Sequence, residues 1–570
     1  MKKIVISLSL VLLMSLNIIY AQTINPYQSY RFGGLALNQD IMMAWDFSEL
    51  SRMQNFGTAR VMGMGGAFVS LGADLTSMSL NPAGLGMYRR SEFAITPLVA
   101  VSHAETANTA SWASNNKGRF TVGNIGAAIN VYENASKGVT SITFGMGLNR
   151  IADFNTRYSY SSEAEFNGTP VASIADIFAG MFNRGEGGQI IYPQPQPDGN
   201  PNGRLDYANP YFWPAVLGYK NAMTHVNPTS GSWERDAIGN NASIRRSVDV
   251  QNVGSINEFD VSFGMNINNL VYVGATLGIQ SVHKRSDVVY GEDYGYFDNP
   301  EGLAYGPDGK LRPAQLGYAD LWQRTELDGS GFNFKLGVVV RPTKGLRLGM
   351  AFHTPTFYSL ERSYRAGTDY RLLSNEDSPS FEDRIESPIQ YDEDGNSWEF
   401  ISPSRLMFGA SYTFGKYAVV SVDYERDWYN GIRVKNTPRD IDFSKEDYKL
   451  DFKENFCGTN SIRAGIEVKP LPIFALRAGG GYTSSMLRDE ELAYEFPQST
   501  TSYYFTAGAG VNITKNIVFD LAYQYLSQQQ SQYRLFYSYD QAVGDFVAES
   551  GLYDTSLTRH FISMTIGFRF

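Results

Sequence analysis

The chain has 570 residues, with 48 Lys and Arg against 58 Asp and Glu, and its net charge of −10 argues against a nucleic-acid partner; no basic patch interleaved with aromatics overturns that. Aromatic residues make up 14%, with 36 tyrosines and 55 glycines, and the single cysteine, Cys457, excludes an intramolecular disulfide. Beyond the N-terminal apolar run no stretch approaches the roughly 20 residues that a membrane helix needs, so if the chain spans a membrane it must do so as a closed sheet.

Lys2 and Lys3 precede an apolar run from Ile4 to Tyr20, and Ala21 stands before Gln22. This is the pattern of a secretory signal peptide over residues 1–21, and no lipid-anchor cysteine follows it. Residues 22–91 lack barrel-like alternation: Asn55–Ser70 is glycine-rich, and Asp74–Gly84 predicts a short helix closed by the turn Asn81-Pro82. From residue 92 to 570 alternating segments predominate.

After a first strand at Glu92–Val101, six pairs of alternating segments follow, each split by a short turn. They are Phe120–Val131 with Val139–Leu148, Phe259–Ile267 with Val271–Val282, Phe332–Val340 with Leu346–Phe352, Leu406–Phe414 with Ala418–Tyr424, Ile462–Lys469 with Phe474–Gly479, and Tyr503–Val511 with Ile517–Tyr525. In the last twelve residues Ile562, Met564, Ile566, Phe568 and Phe570 share one face, opposite Ser563, Thr565, Gly567 and Arg569. Lipid outside and water inside call for this pattern, and the terminal aromatic is a signal for the barrel-assembly machinery. The expected fold is all-β: a transmembrane antiparallel β-barrel of about fourteen strands in the outer membrane. Both ends then lie on one side with the short turns facing the periplasm, and the connections become long outer loops, about 110 residues from Asn149 to Glu258.

The run Ala59-Arg-Val-Met-Gly-Met-Gly-Gly-Ala-Phe68 followed by Asn81-Pro-Ala-Gly84 resembles the N-terminal hatch of the FadL/TodX family of outer-membrane transporters. The hairpins Gly337–Thr354 and Pro403–Trp428 resemble the same family's barrel motifs. The resemblance implies a fourteen-stranded barrel with a hatch, residues 22–91, inside its lumen, and Gly63, Gly65, Gly66, Asn81, Pro82, Ala83 and Gly84 as hatch residues. It implies passive uptake of a long-chain fatty acid or an aromatic compound: capture at the outer loops, a pocket in the lumen, and sideways release into the membrane when the hatch rearranges. Some members carry the label hemin receptor, which makes His225 and His353 candidate axial ligands, although the five histidines show no metal spacing.

Candidate ligand-binding residues come from the longest loop and the wall. Thr169-Pro170 predicts the start of a helix with Ile174, Ile177, Phe178 and Met181 on one face, and Phe212, Trp213, Val216 and Leu217 cluster without alternation. These form either a groove for an apolar ligand or a loop core packed on itself. Arg405 and Arg463 are candidates for a ligand carboxylate, or they pair with charges such as Glu425 and Glu467 to fasten the wall or hatch. The glycines at 63–66 lack the spacing and βαβ setting of a nucleotide site. Asp198, Asn200, Asn202 and Asp206 hold positions one, three, five and nine of a calcium-type loop, but position twelve is Asn209 and Pro201 lies inside, leaving a polar turn as the alternative. No other cofactor is implied, and no catalytic set is present in the sequence. Two non-channel readings remain open: an accessory or structural barrel of a secretion or surface-assembly machine, and a hydrolase, which lacks a recognisable nucleophile and base.

Overall fold

The computed structural model describes residues 30–570 except 38–40, 109–110, 135–137, 169, 184–212, 222, 236–242, 296–302, 306–310, 314, 373–380, 387–396, 439–443, 489–498 and 541–544. The signal segment 1–21 lies outside the described residues.

Fourteen strands close one antiparallel barrel. They are β1 (Glu92–Ala107), β2 (Trp112–Glu133), β3 (Val139–Asp153), β4 (Ser243–Ile267), β5 (Val271–Gly295), β6 (Gln315–Val340) and β7 (Leu346–His353). β8 (Arg405–Phe414), β9 (Ala418–Trp428), β10 (Gly458–Leu471), β11 (Phe474–Thr483), β12 (Ser502–Asn512), β13 (Ile517–Arg534) and β14 (Leu552–Arg569) complete the wall. Each pairs with its sequence neighbours, and β14 returns to β1 with Phe93 opposite Phe568 and Ile95 opposite Ile566. The ladder skips Thr96 and Pro97, where Pro97 has no N–H to give, and the Thr96 and Thr565 hydroxyls meet at 2.7 Å instead.

The alternation sorts side chains as the sequence predicts. On β6, Phe332, Phe334, Leu336 and Val338 are exposed on the outer face, whereas Asn333 and Lys335 are buried inward. On β14, Ile562 and Phe568 face out and Ser563 and Thr565 face in. The turn between β4 and β5 is set by Asn268 and Asn269, both in the left-handed region at φ 55° and 56°, as a tight hairpin requires.

The wall rises much further than its apolar belt. β4, β5 and β6 run for 25, 25 and 26 residues, where alternation predicts strands beginning at Phe259, ending at Val282 and beginning at Phe332. Much of the expected outer loop is therefore strand. Thr156–Ala164 extends the line of β3 along β4, and Phe357–Leu372 extends that of β7 along β6. Above the belt the outward residues turn polar, as with Ser281, His283, Arg285 and Asp287 on β5, so apolar-polar alternation ends while hydrogen-bonded pairing continues. Twenty-five residues at about 3.4 Å each, tilted by about 40°, reach roughly 60 Å along the axis, more than twice an apolar band of about 25 Å.

The lumen is filled in three layers. Nearest the turns, wall residues pack on the N-terminal segment 53–88, which follows α1 (Ala44–Leu50) and holds α2 (Ala59–Gly63), α3 (Ser77–Leu80) and a 3-10 turn at Pro82–Met87. Above it, α1 (Ala44–Leu50) and α6 (Lys445–Asn455) bring Phe47, Tyr448 and Phe452 against Trp398, Phe400 and Tyr358 of the wall. At the outer end, α4 (Ile174–Asn183) and α5 (Trp213–Lys220) sit among Tyr290, Tyr364, Tyr553 and Phe536.

Candidate functional site

The N-terminal segment is built from local caps before it meets the wall. Thr58 caps α2 and donates to Asp74 at 2.8 Å, and Asp74 accepts from the Thr76 amide at 2.9 Å. Asn81 accepts from the Ala83 amide at 3.1 Å and donates to the Val69 carbonyl at 2.6 Å, while Pro82 starts the 3-10 turn with its fixed φ. Gly65 and Gly66 adopt φ 64° and 69°, which side-chain-bearing residues rarely do. At Gly84 a Cβ would lie 2.5 Å from the Ser77 hydroxyl and 3.1 Å from Gly72.

Wall and segment meet backbone to backbone because the inward positions at this level are glycine. A Cβ on Gly479 would stand 2.5 Å from the Gly65 nitrogen, one on Gly264 2.5 Å from Leu85, and one on Gly465 would collide with the Met64 carbonyl. Gly337 and Gly349 leave the same kind of room for Asn81 and Val69, and Gly63 lies against Gly508. Polar wall side chains then hold the segment's backbone from every side. Asp423 accepts from the Val69 amide (2.8 Å) and Thr565 from the Ala59 amide (2.7 Å). Tyr504 donates to the Gly65 carbonyl (2.7 Å), Thr506 to Gly63 (3.1 Å), Thr276 to Met78 (2.9 Å) and Ser141 to Gly86 (3.1 Å).

Arg405 and Arg463 sit in one buried network. Both pair with Glu425; Arg405 also reaches Asp427 at 3.2 Å, and Arg463 donates to Asn55 of the segment at 2.6 Å. Their guanidinium groups are engaged with wall carboxylates and the segment, the fastening use that the sequence leaves as an alternative to ligand binding. A second network joins Lys335 to Glu258 and, at 3.1 Å, to Asp260. His353 is buried with Nε2 at 3.0 Å from the Leu80 carbonyl, whereas His225 is exposed on the hairpin Thr224–Val226 with Trp233–Arg235. The two candidate haem ligands thus lie in different layers, and the ring nitrogen of His353 is occupied by the segment.

At the outer end Ile174, Phe178 and Met181 are fully buried on one face of α4, with Phe178 against Gly218 of α5. The helix starts on Glu292, which accepts from the Ile174 amide (2.9 Å) and the Ser173 hydroxyl (2.5 Å). Asp176 pairs with Arg235 at 2.8 Å, and burial holds its carboxyl above the usual range against the pull of that arginine. The loop residues are therefore brought together as a packed core. Trp213 opens α5, but its side chain, Phe212 and the calcium-type set Asp198, Asn200, Asn202 and Asp206 lie outside the described residues.

The wall is interrupted beside β2. β2 pairs with β1 from Trp112 to Ala128 but with β3 only from Asn124 to Glu133. The upper edge of β2, residues 112–123, faces Thr156–Ala164, whose described pairing is with β4 alone. Among the described residues this seam carries no backbone ladder and is crossed by side chains. Ser159 donates to Asn115 (3.2 Å), Arg119 to Asn155 (2.9 Å), Arg150 to Thr121 (2.7 Å), Lys117 to the Asn252 carbonyl (2.9 Å), and Ser111 to the Ser161 carbonyl. Phe120 and Val122, exposed on the outer face, put its lower end at the level of the apolar belt. The only sequence signal is Gly123, where alternation breaks.

Several solved structures resemble this chain, and one at a TM-score of 0.50 shares its fold. A Pseudomonas aeruginosa FadL homologue is 11% identical, with 90% of this chain and 99% of that chain covered at a TM-score of 0.50. The P. putida toluene transporter TodX is 12% identical over 90% and 99% at 0.49, and the Ralstonia pickettii toluene transporter TbuX 14% over 90% and 99% at 0.42. No curated protein matches the chain. The profile of the family described as outer membrane protein transport protein (OMPP1/FadL/TodX) matches residues 239–546, more than half of the sequence and ten of its fourteen barrel strands in full, and this chain is a member of that outer-membrane family.

Proposed function

We propose that the chain is a passive channel for hydrophobic small molecules, long-chain fatty acids or aromatic compounds, that lets its ligand out sideways through the seam beside β2. The observation that carries this reading is that seam: a stretch of wall whose lower end reaches membrane level and which is held by side chains where its neighbours are held by backbone ladders. In the proposed path, the ligand is captured in the outer layer by displacing part of the packed core around Ile174, Phe178 and Met181, and the segment containing Gly63 to Gly84 acts as a hatch that closes the straight route. Energy coupling is unnecessary, because each Å² of apolar surface leaving water returns roughly 25 cal/mol. Family membership supports transport, and the apolar outer layer supports a hydrophobic cargo.

The test is a reversible staple. In a Cys457→Ser background, cysteines at Asn115 and Ser159, whose side chains already touch, should form a disulfide that lowers uptake of labelled oleate or toluene by about tenfold or more. Reductant should restore it. Uptake unchanged by a quantitatively formed staple overturns the sideways route.

A further inference from the structure

Beneath the N-terminal segment, at the turn end of β10 to β14, lies a cavity of about 340 Å³. It belongs to neither the outer capture layer nor the seam. Its lining includes six cationic side chains, Arg60, Arg89, Arg90, Lys469, Arg477 and Arg569, against three carboxylates, Glu92, Glu467 and Asp520. The carboxylates are already matched. Glu467 is met by Arg60 (3.2 Å), Arg477 (2.7 Å) and Lys469 (3.4 Å), Asp520 by Arg477 (2.6 Å), and Glu92 by Arg569 (2.6 Å). Three positive charges are left in excess.

A second observation points to a ligand. Tyr88, only 3% exposed, lines the cavity, and its hydroxyl has no hydrogen-bond partner among the described residues. A buried hydroxyl without a partner is unfavourable, and an acceptor atom in the cavity would relieve it. Apolar side chains complete the lining, among them Met87, Ile473, Phe474, Val511 and Val518. Arg89 and Arg90 are exposed at the rim, so the cavity opens on the side of the short turns.

We propose that this cavity is a binding site for a small carboxylate-bearing amphiphile entering from the periplasm. The excess cations recognise the carboxylate, Tyr88 donates to it, and the apolar lining takes the hydrocarbon. A concave site in the size range of small-molecule pockets suits a free molecule better than a protein surface, which could not reach a buried hydroxyl.

The experiment titrates octanoate, octan-1-ol and inorganic phosphate against the purified full chain by calorimetry, for the native protein, Tyr88→Phe and Lys469→Gln. Neither variant breaks a ladder, and heat-modifiable migration checks folding. Octanoate should saturate one site, octan-1-ol should bind about tenfold more weakly or less, and each substitution should weaken octanoate by about threefold or more. Raising salt should weaken it further. Equal binding of octanoate and octanol, an unchanged affinity in both variants, or phosphate binding as tightly as octanoate overturns the proposal. The stapled seam should leave octanoate binding unchanged, so failure of the side exit and failure of this site give separate results.

Discussion

Replacing Asn81 by Ala tests whether the segment 53–88 is a lodged element that can come free of an intact wall. The side chain makes two bonds inside the segment, to the Ala83 amide and the Val69 carbonyl, and fills the space left by Gly337. Loss of the cap costs about 0.5–2 kcal/mol. Leaving the buried Val69 carbonyl short of a donor costs about 1–3 kcal/mol more. The sum, about 1.5–5 kcal/mol, falls on the seated state alone, because β6 and β7 keep their ladder. At about 1.4 kcal/mol per decade, the unseated population should rise by roughly 10- to 4,000-fold. The assay is hydrogen exchange of the amides from 58 to 88, together with thiol labelling of a Ser77→Cys reporter in the Cys457→Ser background, Ser77 being buried. Exchange and labelling should accelerate while heat-modifiable migration stays native. Native protection in the variant would refute the reasoning, since the interactions counted above would then not be what seats the segment.

Two further outcomes are expected. Gly465→Val should leave the barrel able to close, because Val suits a strand, but its side chain meets the Met64 carbonyl, so overpacking of about 1–3 kcal/mol should appear as faster exchange in residues 58–70. Deleting Phe570, which is 70% exposed and donates its amide to the Ser91 carbonyl at 3.0 Å, should lower the heat-modifiable fraction recovered from outer membranes; unchanged assembly would count against the terminal-signal reading.

The wall was legible wherever lipid contact enforces period two. Phe332 to Val340 and the last residues of the chain show it, and every predicted hairpin is present. Above the belt that constraint lapses: outward Ser281, His283 and Arg285 look like loop residues although their backbone is paired. The same loss hid the seam, since above Phe120 the stretch Ser114–Arg119 presents Ser114, Asn116 and Gly118 outward and offers no apolar face. Of the lumen helices, α3 and α4 were legible in the sequence, whereas α6 was hidden for another reason. In α6 only Tyr448 and Phe452 are buried, a spacing that announces a helix too weakly when the rest is charged. The inward glycines were visible in sequence, but only the facing segment explains them: Gly465 and Gly479 stand at wall positions where any side chain would displace backbone.

The relative strength of the two closures bears on which one a ligand opens. Driving the N-terminal segment out of the lumen breaks its bonds to Asp423, Thr565, Tyr504, Thr506, Thr276 and Ser141, and separates Arg463 from Asn55 and Arg60 from Glu467. Six bonds at about 1 kcal/mol each, with about 1 kcal/mol each for the Arg463–Asn55 bond and the Arg60–Glu467 pair, Glu467 keeping Arg477 and Lys469, place full expulsion near roughly 8 kcal/mol. The seam is held by about five side-chain hydrogen bonds, several within reach of water, which can replace each lost partner. No ladder has to break there, so parting the seam costs a few kcal/mol at most. A hydrophobic ligand that buries about 200 Å² on entering the outer layer brings about 5 kcal/mol. That is enough to part the seam and too little to expel the segment, which supports the proposed sideways route over a straight one past the segment.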